Sequence, residues 1–304
     1  MMNRKKWLLC GLVIFVLLAA CVALMPHKVV KGVLLIENYI KRADVKLHLA
    51  SAVEVEAPLL RAHNRQEKGL NDPELWIAHG GGVGQYYYTN CLEAVQDSLR
   101  RGFKYVELDL LTTTDGYLVG GHDWSRVRQY AGMEDTEEKP LSRQELLEAR
   151  SRWKYTFLFA EDIRCIMDEN PDMVLVTDRV QDFELLRREI PYADRMVVEA
   201  FDCYNYLQAL RAGFNNVALS AWSLEGLRQA HYYKLAGVVL AADVLEQDNS
   251  AVTLAGQMHH EGCSIMVHGA HISDTPQFIH SHLGRCISQI YTNSWSPNEV
   301  PSAP

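Results

Sequence analysis

His79, Glu107, Asp109, His122 and Asp178 interrupt otherwise apolar stretches, and each falls on or just after a predicted strand. Glu107 and Asp109 lie two apart on one strand, so both side chains project from the same face. Carboxylates gathered at one point repel each other unless a cation holds them. An oxygen-only donor set suits one hard divalent ion, Mg²⁺ or Ca²⁺. Such an ion stabilises charge developing on a phosphoryl oxygen. A histidine titrates near pH 6.5 when unperturbed, about where both of its protonation states are populated, so two of them beside the ion suit general acid–base catalysis. Asp123 reads as a turn or supporting residue, and Glu199 points from the fifth strand with a place on the ion as the lesser of its readings.

These residues need a scaffold that brings strand ends together. From Glu74 onward the chain alternates short apolar strands with helices. The strands are read at Leu75–Ala78, Tyr105–Leu111, Tyr117–Gly121, Met173–Thr177, Met196–Phe201, Val217–Ala221, Val238–Ala241, Ser264–Val267 and Ile287–Tyr291. Short, almost wholly apolar strands are covered on both faces, and repeated strand–helix units imply a parallel sheet. Eight units close a barrel, so one strand is an insertion, and Val238–Ala241 is assigned that place. Periodicity alone leaves an open doubly wound sheet as the alternative. In either architecture sites assemble at the carboxyl ends of the strands. Helices are expected at residues 90–101, with Asn90 and Glu93 at capping-box spacing, at 142–150, capped by Ser142 and Glu145, and at 161–169.

The residues Ile77-Ala78-His79-Gly80-Gly81, Thr89-Asn90-Cys91-Leu92-Glu93-Ala94, Val106-Glu107-Leu108-Asp109-Leu110, Thr114-Asp115-Gly116 and Gly121-His122-Asp123 resemble, in order and spacing, the glycerophosphodiester phosphodiesterase family. This family is part of the phosphatidylinositol-phospholipase-C-like superfamily. Weaker likeness continues through Leu175-Val176-Thr177-Asp178-Arg179, Val198-Glu199-Ala200-Phe201-Asp202 and Ile290-Tyr291-Thr292-Asn293. The resemblance implies an α/β fold, a TIM-type (β/α)8 barrel over residues 74–304. It implies metal-dependent phosphodiester hydrolysis with His79 and His122 as the acid/base pair. Glu107, Asp109 and Asp178 match metal ligands, and Arg179 stands where the family has a lysine. His268 lies where the family often places an aromatic, which puts it on the substrate pocket. The family's reaction proceeds by attack of a neighbouring substrate hydroxyl on phosphorus, and water then opens the cyclic phosphate.

Two positions depart from the family's pattern. Gly80 replaces an arginine that grips phosphate, and Thr89 replaces a glutamate. Loss of a bidentate donor weakens binding of a simple diester unless another residue, such as Arg179, compensates. This keeps two other readings open: a non-catalytic ligand-binding or scaffold protein on the same fold, and an enzyme modifying an envelope glycan or lipid headgroup.

Composition narrows the partners. Net charge is −8, and the basic residues Arg4, Lys5, Lys6 and Lys28 lie in a first segment without acids, so the remainder is more acidic still. This argues against nucleic acid. Residues 1–28 read as a signal anchor or lipoprotein signal: Trp7–Met25 is uncharged and long enough to span a bilayer, and Leu18-Ala19-Ala20-Cys21 resembles a lipobox. Residues 29–73 read as a membrane-proximal helix and linker. The expected location is membrane-anchored and extracytoplasmic, with a small-molecule or lipid-headgroup phosphodiester as substrate. Cys91, Cys165, Cys203, Cys263 and Cys286 read as free thiols. His259, His260, His271, His280 and His282 read as solvated or packing residues.

Overall fold

The computed structural model describes residues 26–52, 56–61, 69–134, 137–149, 154–269, 276–281 and 284–299 of the 304-residue chain. The segment Trp7–Met25, with its lipobox-like Cys21, lies outside these residues, as do His271 and His282. Two units are distinguished, Met1–Leu49 and Ala50–Pro304. The first carries helix α1 (Pro26–Ala52), on which Lys41 pairs with Glu37 at 2.8 Å, one helical turn apart. Among the described residues no helix is long and apolar enough to cross a membrane.

The second unit is a closed barrel. Its parallel strands are β1 (Trp76–Ala78), β2 (Tyr105–Thr112), β4 (Val174–Asp178), β5 (Met196–Ala200), β6 (Val217–Ala221), β7 (Gly237–Ala241), β8 (Ser264–His268) and β9 (Gln289–Thr292). β1 pairs with both β2 and β9, which closes the ring of eight. Helices follow the strands: α3 (Leu92–Arg100), α6 (Ala160–Glu169), α7 (Phe183–Glu189), α8 (Cys203–Arg211) and α9 (Leu224–Tyr232) among them.

The inserted strand is therefore not Val238–Ala241, which is β7 of the barrel, but β3 (Leu118–Gly120). β3 pairs antiparallel with the end of β2, Leu110 opposite Gly120 and Thr112 opposite Leu118. The connection through Asp115-Gly116 is a tight turn, whereas a parallel partner needs a crossover of roughly a dozen residues or more. The insertion has its own apolar cluster, built from Val119, Trp124, Val127, Leu141, Leu146, Phe157 and Phe159. Trp124 is a packing residue of that cluster.

Alternation along the strands orders the barrel interior. Ile77, Tyr105, Val174, Val176, Val197, Ala218, Val239, Met266 and Tyr291 meet in one buried cluster. Ala57 and Leu60 join it, from the short helix α2 (Pro58–Arg61) and the residue before it. The 29–73 segment thus contributes to the barrel core. Gly237 makes room: a Cβ there would lie 2.9 Å from Leu60 Cδ1. Because inward side chains recur every second residue, the inward positions that follow are His79, Glu107, Asp109, Asp178, Glu199, Ser220 and His268. Polar residues at these positions form the floor of a site on the carboxyl-end face.

Candidate active site

β2 and β4 bring the carboxylates together. Asp109 is directly opposite Asp178 in the parallel register, and Glu107 is opposite Val176. Glu107, Asp109 and Asp178 each place a carboxylate oxygen within 4.8 Å of the others. Glu107 and Asp109 are buried, at 3% and 2% exposure. Burial first, and the charge of Asp109 second, hold Glu107 and Asp178 well above the ordinary carboxylate range. Asp178 Oδ1 is buried without a hydrogen-bond partner among the described residues. A buried oxygen in that state costs stability unless something occupies it. An oxygen-only cluster with an orphaned lone pair fits a hard divalent cation.

Each carboxylate is oriented by a neighbour. Gly80 N–H donates to Glu107 Oε2 at 2.6 Å. Asn90 donates through Nδ2 to Asp109 Oδ2 at 2.9 Å, and its Oδ1 accepts from Asp109 N–H at 2.9 Å. Asn90 is consequently not the helix cap that its spacing suggests. Cys91 occupies the N-cap position of α3, and Glu93 accepts from the backbone and hydroxyl of Thr156. Asn90 adopts φ 52° and its N–H donates to Gly80 O at 2.8 Å, closing the loop after β1.

His79 follows β1 and is flanked by the Tyr88 and Tyr291 rings, with centroids at 4.6 and 5.5 Å. Its Nδ1 lies 3.0 Å from Asn293 Oδ1. Burial pushes its pKa down to about 4, against the opposing pull of Asp109. His122 follows β3 rather than a barrel strand. Its Nδ1 lies 2.7 Å from Asp123 Oδ2, and Arg179 Nη2 lies 2.6 Å from its Nε2. Asp123 also caps helix α4 (Trp124–Tyr130) by accepting from Arg126 N–H at 2.7 Å. Arg179, at φ 65° just beyond β4, places Nε 3.6 Å from Asp109 and 3.8 Å from Asp178.

Glu199 does not join the triad. Its two oxygens accept from Tyr291 and Ser220, the latter at 3.0 Å, and burial raises its pKa to about 7. His268, at the tip of β8, packs edge-on against Trp222 at 4.9 Å, and its ring centroid lies 6.2 Å from that of Tyr291. Tyr86, Tyr87 and Tyr88 read from the sequence as residues that shape the site mouth or simply pack, and the structure places Tyr88 against both imidazoles. Asn293 belongs to the Ile290-Tyr291-Thr292-Asn293 run, and nothing local in the sequence points to its contact with His79. Cys91, Cys203, Cys263 and Cys286 are buried thiols and Cys165 is an exposed one. His260 and His280 are exposed on helices, and His259 is half-buried.

The fold and site define a barrel hydrolase with an acidic cluster and two imidazoles at its mouth. The profile of the glycerophosphoryl diester phosphodiesterase family matches residues 79–269, and the chain belongs to that family, as an enzyme of the phosphoric diester hydrolase class. A glycerophosphodiester phosphodiesterase from Thermotoga maritima has the same fold at 18% identity and TM-score 0.57, covering 72% of this chain and 94% of its own. One from Parabacteroides distasonis aligns at 15% identity and TM-score 0.59, covering 77% and 87%. An Oleispira antarctica phosphodiesterase in complex with the product sn-glycerol-3-phosphate aligns at 13% identity and TM-score 0.56, covering 74% and 94%. No curated protein sequence matches.

Proposed function

We propose that this chain hydrolyses a glycerophosphodiester-type substrate with one divalent ion, Mg²⁺ or Ca²⁺. Glu107, Asp109 and Asp178 would hold the ion, and His79 and His122 would act as the proton-transfer pair. The carrying observation is that this triad and both imidazoles converge on one barrel mouth. The Oleispira relative holds sn-glycerol-3-phosphate, which supports the same product here.

His79 is available as a proton acceptor above about pH 4, since burial keeps its ring neutral. It takes the proton from the substrate hydroxyl adjacent to the phosphate, and that oxygen attacks phosphorus. His122, backed by the Asp123 carboxylate, donates a proton to the leaving alcohol. A cyclic phosphate results. The two histidines exchange roles as water opens it. Arg179 turns its guanidinium from His122 to the phosphoryl oxygens, and His268 lines the pocket. A bound divalent ion supplies electrostatic stabilisation of the phosphoryl charge.

Membrane attachment through residues 1–28, with the barrel on the extracytoplasmic side, completes the proposal and rests on the sequence of that segment. Deleting those residues should release the protein from the membrane fraction. For the chemistry, EDTA should abolish turnover of glycerophosphodiesters and of bis(p-nitrophenyl) phosphate, and added Mg²⁺ or Ca²⁺ should restore it. His79→Ala and Glu107→Gln should each be inactive. Turnover surviving EDTA and both substitutions would refute the assignment.

A further inference from the structure

We infer that the Tyr88 hydroxyl supplies the phosphoryl hydrogen bond that a side chain at residue 80 cannot provide. The inference rests on the reading of the site given above. It begins with space. Gly80 has φ 55°, and a Cβ built on it would lie 2.6 Å from Tyr88 Cα and 3.1 Å from Tyr88 Cδ2. The volume that a residue-80 side chain would enter is filled by Tyr88. The loop between β1 and α3 has therefore exchanged one donor position for another, rather than simply losing an arginine.

The tyrosine is placed where such a donor is useful. Its ring lies between the two imidazoles, 4.6 Å from His79 and 4.9 Å from His122. Asp109, Glu107 and Asp178 are near enough that, after burial, their charges raise its pKa further, so the phenol keeps its proton. Its hydroxyl makes no hydrogen bond among the described residues. Tyr88 is only partly buried, so this O–H is a donor open to whatever binds beside the two imidazoles.

Its position is imposed rather than adopted. Tyr88 has φ 59°, a left-handed conformation that a bulky residue enters at a cost. The surrounding bonds hold it there: Thr89 N–H donates to Tyr86 O at 3.2 Å, Thr89 Oγ1 donates to the same oxygen at 2.9 Å, and Asn90 N–H donates to Gly80 O at 2.8 Å. The Arg126 guanidinium lies over the ring, 5.1 Å from its centroid. The exchange leaves Arg179 as the cation that turns to the phosphate, with a neutral donor beside the imidazoles. That balance suits the single charge of a diester better than the double charge of a monoester.

Tyr88→Phe keeps the ring between the histidines and removes the hydroxyl, and Tyr88→Leu removes both. Titration calorimetry with inorganic phosphate in the presence of Mg²⁺ reads the contact without requiring turnover. Steady-state kinetics on bis(p-nitrophenyl) phosphate reads it in the reaction. Tyr88→Phe should weaken phosphate binding and lower kcat/KM, each about three- to tenfold, as for loss of one hydrogen bond. Its melting temperature and the His79 and His122 imidazole NMR shifts should match the wild type. Equal phosphate affinity and kinetics in Tyr88→Phe would overturn the inference. So would a lowered melting temperature with phosphate affinity unchanged, which is the signature of a packing role. A wild type that is active and is silenced by His79→Ala, with Tyr88→Phe indistinguishable from it, would sink this inference alone. A wild type without turnover would count against the proposed function, while the phosphate titration would still judge Tyr88.

Discussion

Arg179 Nη2 lies 2.6 Å from His122 Nε2, on the opposite side of the ring from Asp123 Oδ2, which is 2.7 Å from Nδ1. A guanidinium has donors and no acceptor, so Nε2 accepts and Nδ1 carries the proton given to Asp123. The tautomer in this pose is set by the residue next to it in sequence, and Nε2 is open to carry the proton for the leaving alcohol once Arg179 turns to the phosphate. Asp123→Asn can still cap α4, because asparagine caps as well as aspartate. Its amide can present N–H to Nδ1 and reverse the tautomer. The expected outcome is a fall in kcat of about a hundredfold or more with the melting temperature unchanged. Full activity in the asparagine variant would show that Asp123 serves the helix alone.

Arg179 touches His122, Asp109 and Asp178 together, so one substitution should have separable effects. Arg179→Met should reduce kcat/KM by about ten- to a hundredfold, as for loss of a charged hydrogen bond to phosphate. Arg179→Lys should recover part of this loss, since a lysine supplies charge without the planar fork. Kinetics of the two variants on one diester make the comparison. A methionine variant as active as the wild type would place phosphate binding elsewhere.

The raised carboxylates couple metal binding to pH. Glu107 and Asp178 are held above their ordinary range, and Glu199 near 7, chiefly by burial. The folded metal-free state holds protons that the unfolded chain releases above about pH 4.5. The stability Glu199 contributes is present below that pH and is lost as pH rises through about 7, and Glu107 and Asp178 act in the same direction. His79 acts in the other direction, because its folded pKa of about 4 lies below the unfolded one, so stability falls as pH drops from 6.5 towards 4. A divalent cation replaces protons on the carboxylates. Thermal scans should thus show a larger cation-induced rise at pH 8 than at pH 5, roughly 5–10 °C at a hundredfold excess over Kd. Asp178→Asn should lose the rise. Equal shifts at both pH values would argue that the ion binds elsewhere.

At the opposite end of the barrel, Leu60 is fully buried among Ile77, Tyr105, Val197 and Ala218. Leu60→Ala should destabilise the protein by about 2–5 kcal/mol, as for a leucine cavity in a tight core. Turnover per folded molecule should be unchanged, because the site lies at the other mouth. Denaturant melts paired with kinetics test both halves of the expectation.

Much of this was legible before any coordinates. The eight barrel strands show as short apolar runs, and Glu107 and Asp109 share a face because strand side chains alternate. Ser142 and Glu145 do form a cap, with Ser142 N–H donating to Glu145 Oε2 at 2.7 Å. The errors have physical causes. β3 is as apolar as a barrel strand, so periodicity did not distinguish it, although the short connection through Asp115-Gly116 could have. Asn90 has capping-box spacing, but the stronger claim on its side chain comes from Asp109, a residue nineteen positions away.

By itself the order of residue types determined the alternating architecture, the acidic pair on β2 and the two histidines at strand ends. Those features depend on local geometry, which a few neighbouring residues set. Only the folded barrel decided that Tyr88 fills the space beside Gly80, that Glu199 is held by Tyr291 and Ser220, and that Arg179 reaches His122. These contacts join residues far apart in the chain. Their distances follow from how the strands close around a ring, and no local run of sequence encodes that closure.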